Sequence, residues 1–542
     1  MREFGRFDFI IVGAGSAGCV LANRLTESGR HRVLVLEAGG QDLNPWIHIP
    51  LGYGKLFRDA SVNWLFETEP QAELNHRRII QPRGKVLGGS SSINGLVYMR
   101  GQREDYDQWR QMGAVGWSYD DVLPFFRKAE QQSRGSDEYH GDDGPLSVSD
   151  QSESHPLCDA FIGAAQEAGH PRNDDFNGAT QEGAGYFQTT SRNGLRVSAA
   201  VAYLNPARRR TNLAVVTRAH VTRVLFDGRK AIGLQFQRNG ETMQAFADGE
   251  VILSSGAIGS PHLLQLSGIG APDLLRSRGV SPLHGIEGVG ENLQDHLQVR
   301  MVFECTQPIT FNDDLKSPLR TMLVGMRYAF LRKGPLTVSA GYAGGFFRTD
   351  RALVSPDIQV HFINFSTSKM GDALHRFSGF TASSCQLRPE SRGFVRLKSA
   401  DPFEAPAIDP NYLGTETDRR VNVAGIKLLR KIMEGATLRP FMKAEREPGP
   451  AVQTDAEILA YCRQAGSSLY HPTCTARMGE DPGAVVDSRL RVRGLQGIRI
   501  VDGAVMPFVI SGNTHAAIVM IGEKAAHMIL EDARQRTPAC AA

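Results

Sequence analysis

The 542-residue sequence predicts an α/β fold, α+β overall, with more than one domain. Three observations carry this. The first forty residues read strand, glycine turn, helix, strand, acid. Residues 213–254 hold short alternating runs that read as strands returning to the first sheet. From about 306 to 470 the texture changes to polar–apolar alternation, which suits an antiparallel sheet with one covered face. Together these predict a Rossmann-like dinucleotide-binding domain and a second domain built on an antiparallel sheet flanked by helices.

The opening unit is the most specific. Phe9-Ile10-Ile11-Val12 is a strand, Gly13-Ala14-Gly15-Ser16-Ala17-Gly18 a turn, and an apolar-periodic run to Leu25 a helix. Val33 to Leu36 is the second strand, and it ends on Glu37. Gly13 permits the tight turn, Gly15 lets backbone approach a pyrophosphate, and Gly18 lets helix pack close to strand. The free N–H groups and partial positive charge of the helix N-terminus face the phosphates. Glu37, 19 residues after Gly18, stands where a carboxylate accepts hydrogen bonds from ribose hydroxyls and disfavours a 2′-phosphate. NADP is therefore disfavoured, whereas NAD and FAD both remain open.

The next stretch, Gly39 to about Trp64, reads as a long loop, and Gly84 to Gly101 as a second glycine-dense segment whose backbone N–H groups can converge on an anion or ring edge. A helix is predicted after Pro261. In the second domain, strands are predicted over Asp357 to Phe362, Gly379 to Leu387 and Gly393 to Leu397, with helices from Asp418 to Gly435 and from Asp455 to Gln464. Ile498 to Asp502 is a further strand. The final helix is predicted from around Asn513-Thr514, either residue a good N-cap, to about Glu531. Leu315 to Lys333 mixes apolar and basic residues. It reads as a helix covering the second domain or, alternatively, as one lying on a membrane surface.

Composition excludes several classes. Hydrophobic content of 41%, 22% charged residues and a net charge of +3 describe an ordinary soluble protein without a nucleic-acid-binding array. The seven cysteines form no CxxC pair, which suits a reduced compartment better than a disulfide scaffold. No run of 18 apolar residues predicts a spanning helix. The first strand leaves no room for a signal peptide, so the expected location is cytoplasmic, with association at the inner face of a membrane as the alternative.

Among fifteen histidines, two have suggestive settings. His471 precedes Pro472, which biases it to extended backbone. His515 sits in the first turn of the final helix, where the positive helix end keeps an imidazole neutral and able to accept a proton. His471 and Cys474 have i, i+3 metal spacing but no second pair, so no metal site is predicted. No Gly-x-Ser-x-Gly lies in a context suited to a Ser–His–Asp hydrolase.

Taken together, the motifs resemble the glucose–methanol–choline oxidoreductases along nearly the whole chain. The blocks are the Gly13–Gly18 turn with Glu37, Gly84 to Asn94, Gly256 to Gly270, Gly288 to His296, Val501 to Pro507, Gly512 to His515 and Ile521 to Ala526. The resemblance implies FAD, and oxidation of an alcohol by hydride transfer to the flavin. It implies His471 as the base and His515 as its partner. It places cofactor contacts at Gly13, Gly15, Ser16, Ala17, Gly18, Glu37 and Ala38, and at Val86, Gly89, Ser90, Asn94, Gly95, Leu96 and Val97. The remaining implied contacts are Val221, Ser255, Gly256, Asp502, Gly503, Asn513 and Thr514. Covalently flavinylated members carry a histidine where this chain has Ile93, so the flavin is expected to be non-covalent. Cys474 and Ala476 replace the usual Gly and Cys of the histidine block; that variant, with Asp175 to Gly185, looks most like sorbose dehydrogenases, and the outline also resembles choline and aliphatic or polyether alcohol dehydrogenases. The implied partners are a small alcohol or sugar and an electron acceptor, a quinone or dye, with oxygen as the alternative; a flavin-bearing lyase is the alternative of another class. The expected domain division gives residues 1–157, 199–305 and 470–542 to the FAD-binding domain and 158–198 and 306–469 to the substrate domain. A choline-type cation calls for a carboxylate or aromatic cage, and a sugar for several polar groups.

Overall fold

The computed structural model describes residues 2–369 and 371–536. The opening β-α-β unit seeds a seven-stranded sheet. Its strands run in the order Leu213–Thr217, Val33–Glu37, Arg2–Val12, Glu241–Leu253, Lys230–Arg238 and His220–Asp227, with Ile498–Ile500 also pairing Glu241–Leu253. The first four strands and Ile498–Ile500 are parallel, and the 220–253 meander is antiparallel. Val33 to Glu37 is wholly buried, as a parallel strand covered on both faces must be. The Ser16–Thr26 helix and the final His515–Arg536 helix pack against each other beside this sheet.

A second seven-stranded sheet is antiparallel throughout its main path: Met442–Glu447, Leu297–Cys305, Gly379–Gln386, Ile358–Ile363, Ala343–Phe347 and Gly183–Tyr186. Its alternation has a clear physical meaning. Val299, Met301, Phe303, Val360, Phe362, Phe380 and Ala382 form one core with Phe161 of the Pro156–Glu167 helix and Ile426 and Leu429 of the Glu416–Met433 helix. The opposite face carries Gln298, Arg300, His361, Thr381 and Ser383. That polar face is not solvent-facing, as a sheet with a single covered face would have it: every residue of Ile358–Ile363 and Gly379–Gln386 is buried, because the polar face roofs an internal cavity.

Several elements depart from expectation. The stretch read as a loop after Gly39 contains the short helices Pro45–His48 and Tyr53–Leu56 and a 3₁₀ turn at Pro50–Gly52, with Asn44 and two prolines at their starts. Gly393–Arg396 belongs to a separate three-stranded sheet with Glu291–Leu293 and Ala407–Asp409. The Gly256–Leu266 helix begins before Pro261 rather than after it. The ring of Pro261 removes an N–H that would have bonded the carbonyl of Ala257, and Thr475 Oγ1 donates to that carbonyl instead, at 2.6 Å. The final helix starts at His515, with Thr514 just ahead of it. The six cysteines among the described residues are free and buried, and Cys540 lies outside them.

The mixed apolar and basic segment forms the Pro318–Leu331 helix, and its orientation is unusual. Leu319, Met322, Leu323, Met326 and Phe330 share one stripe by their i, i+3, i+4, i+7 spacing, and all are exposed, Phe330 by 82%. Only Tyr328 is buried, its hydroxyl donating to Gly194 O at 3.0 Å. The helix therefore covers the second domain with its narrow side. Among the described residues, no helix is long and apolar enough to cross a membrane.

Candidate active site

Two adjoining cavities, of about 420 and 160 Å3, share Ser16, Arg83, Ser90, Thr514 and Ile518 in their walls. The larger lies over the glycine turn. Gly13 has φ +99°, and its N–H donates to Leu36 O at 2.8 Å, tying the turn to the second strand. A Cβ on Gly18 would stand 2.0 Å from Gly13 O, so helix and strand meet backbone to backbone there. A Cβ on Gly15 would meet only Ser254 O, at 3.8 Å, which leaves that backbone open to a ligand. The second glycine-dense segment packs onto the first: a Cβ on Gly89, itself at φ +53°, would come within 2.7 Å of Gly15 Cα.

Glu37 is buried in the same wall. Its two carboxylate oxygens accept the N–H groups of Ala14 at 2.9 Å and Gly39 at 2.8 Å, and burial pushes its pKa up to about 7. Ser16, Ala17, Ala38, Ser90, Val221, Ser255, Gly256, Gly503 and Thr514 join it along the cleft. Asp502 also lines the cleft, and it ties three segments together: its carboxylate accepts from Gly256 N–H, Ser260 Oγ and Ala504 N–H at 2.8, 2.6 and 2.8 Å. Val86 and Gly18 line neither cavity; Val86 is packed with Ile47, Leu56 and Val62 below the surface. The cleft fits a dinucleotide, with open backbone at Gly15, an acceptor at Glu37 and a helix N-terminus beside them.

The smaller cavity holds the titratable residues. His471, Asn513, Thr514 and His515 line it with Asn94, Gly95, Leu96 and Val97. Arg196 fixes that last strip, donating to Asn94 Oδ1 at 2.6 Å, to Asn94 O at 2.8 Å and to Ser91 O at 3.1 Å.

A hydrogen-bond chain determines the protonation of His471. His296 Nε2 lies 2.9 Å from Leu387 O, an acceptor only, so Nε2 carries the proton and His296 Nδ1 is a lone pair. That lone pair faces His471 Nδ1 at 2.9 Å, so His471 donates from Nδ1. His471 Nε2 is then unprotonated, and Asn513 Nδ2 donates to it at 3.2 Å. The Asn513 amide is itself oriented by Gln359 Nε2, which donates to its Oδ1 at 3.1 Å. The tautomers follow from the network. Asp295 holds the frame, accepting the backbone N–H groups of His296 at 2.9 Å and His471 at 2.7 Å. Burial, and then the neighbouring His296, His361 and Arg83, hold the His471 pKa well below its usual value.

His515 does not meet His471. Its Nδ1 pairs with Ser16 Oγ at 3.0 Å, its Nε2 is buried without a partner, and burial followed by Arg196 lowers its pKa to about 4. Asn513, which the resemblance placed among cofactor contacts, occupies the position beside His471 expected of His515. A buried orphan nitrogen on the cavity wall is what an absent ring ligand would leave, so the residues present fit FAD here. Sequence reasoning did not single out Arg83, His296, Arg300 or His361. Of these, His296 sat within a quoted block, and nothing in its spacing marked it as the neighbour of His471.

Comparisons with known proteins agree with this geometry. Family models described as GMC oxidoreductase match residues 7–298 and 389–522. The chain is 44% identical to an alcohol dehydrogenase [acceptor] of Pseudomonas putida, covering 97% of this chain and 96% of that one. It is also 44% identical to the mitochondrial choline dehydrogenase of Homo sapiens, covering 96% and 89%. Among solved structures, pyridoxine 4-oxidase from Mesorbium loti superposes with a TM-score of 0.88 at 32% identity, covering 97% and 99%. A formate oxidase of Aspergillus oryzae superposes at 0.93 and 26%, covering 99% and 100%. With the glycine cradle, the acidic residue closing the second strand and a histidine-bearing cavity beside them, these matches establish that the chain belongs to the GMC oxidoreductase family, the FAD-dependent enzymes that oxidise CH–OH donors.

Proposed function

We propose that this enzyme oxidises an alcohol to an aldehyde or ketone with His471 as base, working as a dehydrogenase that passes electrons to a quinone or artificial acceptor. Bound FAD supplies the hydride acceptor for the carbinol carbon. An alcohol O–H is too weak an acid to ionise alone, so its proton must go to a group already neutral and aimed at it. The observation that carries this reading is the lone pair on His471 Nε2, which the Leu387–His296–His471 chain keeps unprotonated and which the neutral Asn513 amide meets at 3.2 Å. The substrate hydroxyl displaces the Asn513 N–H from Nε2 and passes its proton there. Ile93 on the cavity wall offers no nucleophile to a flavin, which supports a non-covalent cofactor. Anaerobic addition of an alcohol should bleach the flavin, and a quinone should restore the yellow colour faster than oxygen does. Faster recovery with oxygen would make the protein an oxidase. Acid precipitation should leave the flavin in the supernatant.

We also infer that the Pro318–Leu331 helix rests on an anionic lipid surface. Its apolar stripe points outward, and Arg320, Arg332 and Lys333 flank it, as in helices that lie in a headgroup layer. Val324 packs against the cluster of Phe311, Ile363 and Phe365, and Ile363 also lines the smaller cavity, so the helix sits close to the site a lipid-soluble quinone must approach. The holoenzyme should sediment with phosphatidylglycerol-containing vesicles, and the double variant Leu319→Ser, Phe330→Ser should lose about tenfold or more of that partitioning while keeping its flavin. Equal partitioning of both proteins would remove the helix from this role.

A further inference from the structure

The roof of the smaller cavity carries a buried arginine, Arg300, with no ion pair among the described residues. Arg300 is 8% exposed, and its Nη1 has no hydrogen-bond partner. No Asp or Glu is among the described residues that line the cavity, whereas Arg83, Arg300 and three histidines are. A buried guanidinium with an unused N–H is costly unless something else brings the counter-charge.

Two more orphans stand near it. Tyr53 Oη and His361 Nδ1 are both buried, without partners, on the same cavity wall. Arg300 and His361 share a row across the sheet, since Arg300 pairs with Ser383 and Ser383 with His361. Their side chains therefore leave the same face, two strands apart. Three buried polar groups without partners, Arg300 Nη1, Tyr53 Oη and His361 Nδ1, thus line the same cavity as His471.

We propose that this patch binds a carboxylate, and that the substrate is a small alcohol carrying one at the end away from its carbinol. Arg300 Nη1 and Tyr53 Oη donate to the carboxylate, and the carbinol reaches His471. The same patch repels a quaternary ammonium: among the described residues no carboxylate lines the cavity to receive one, and Arg300 stands there instead. The proposal rests on the alcohol-oxidation reading above and narrows its substrate class.

The test compares three alcohols on the holoenzyme under anaerobic conditions: 4-hydroxybutanoate, butan-1-ol and choline. The carboxylate should reduce the flavin with a kcat/KM about 10- to 100-fold above that of butan-1-ol, with choline slowest. Arg300→Met should collapse that ratio, mainly through KM, and Arg300→Lys should restore part of it. Butanoate, which has no hydroxyl, should perturb the flavin spectrum of the wild type and compete with substrate, and its affinity should fall by a similar factor in the Met variant. If that variant does not fold, butanoate binding to the wild type and to the Lys variant decides. Butan-1-ol or choline equalling the carboxylate, or a preference that survives Arg300→Met, overturns the proposal. If no alcohol bleaches a flavin that is bound, the oxidation reading falls, while butanoate binding still tests the patch by itself.

Discussion

The two cavities share a wall, yet they are built from different materials. The larger is floored by backbone where it meets the glycine turn: open peptide at Gly15, a turn at Gly13, one glycine loop laid on another at Gly89, and the start of a helix. Its principal side-chain contribution from the first forty residues is Glu37. The smaller is made of side chains carried by distant strands and loops, among them Asn94, Arg300, His361, His471 and Asn513. The first depends on close backbone approach, helix to strand at Gly18 and loop to loop at Gly89. The second is specific because every polar atom must find a partner or leave an orphan. A backbone cradle can hold the same nucleotide for many reactions, whereas a side-chain pocket must be matched to one substrate class.

The largest effect should come from breaking the backbone contact. Gly18→Val places a side chain against the Gly13 carbonyl, where neither element has room to move. The variant should purify without flavin and with a markedly lowered melting temperature, read from the ratio of flavin to protein absorbance and from a thermal scan. A yellow, wild-type-stable Gly18→Val protein would show that the turn is not under this constraint.

Breaking the side-chain pocket should have the opposite signature. His471→Ala should keep its flavin and lose about 10²- to 10⁴-fold in the rate of anaerobic bleaching, the usual range for a general base. His296→Phe, which removes the acceptor that fixes the His471 tautomer, should cost less, about ten- to thirtyfold on the scale of an outer-shell partner. It should also move the pH profile. His471 must be neutral to act, and both burial and His296 hold its pKa below the usual value. The wild type should therefore stay active below pH 6.5, and the acid limb of kcat should move upward in the variant. An unmoved limb would separate His296 from the protonation of His471.

The same contrast explains what could be read in advance. The cradle was legible because its physics is local: strand, turn, helix and acid fall within forty residues, and each glycine has a steric reason. The pocket was legible only as a family resemblance. The resemblance implies His471 as base with His515 as its partner; in the structure Asn513 Nδ2 reaches His471, and His515 pairs with Ser16. Asn513 and His515 line the same cavity, and the irregular approach to the helix sets which of them reaches His471; spacing does not encode that direction. Arg300 and His361 were hidden for a related reason. They lie on strands where alternation marks a polar face, but alternation does not say that another domain covers that face. The register joining Arg300, Ser383 and His361 spans residues far apart in sequence. In the Pro318–Leu331 helix the apolar stripe was visible, and its outward direction was not.

The last expected effect tests a place where the backbone cradle depends on a titrating side chain. In the absence of ligand, burial raises the Glu37 pKa from 4.5 to about 7, with desolvation outweighing the two N–H groups it accepts. The folded protein then binds more protons than the unfolded chain between those values, so Glu37 makes the apoprotein less stable as pH rises from about 4.5 to 7. Ribose hydroxyls need an ionised acceptor, so FAD affinity should change in the other direction and strengthen as pH rises through about 7. If only the carboxylate form binds, the Kd for FAD should tighten by roughly tenfold for each pH unit below 7 and level off above it. Flavin fluorescence quenching on reconstituted apoprotein measures this, and thermal scans of the same samples measure the opposing trend in stability. Glu37→Gln should flatten both curves. A wild-type affinity that does not vary between pH 5.5 and 8 would mean that the backbone alone holds the nucleotide.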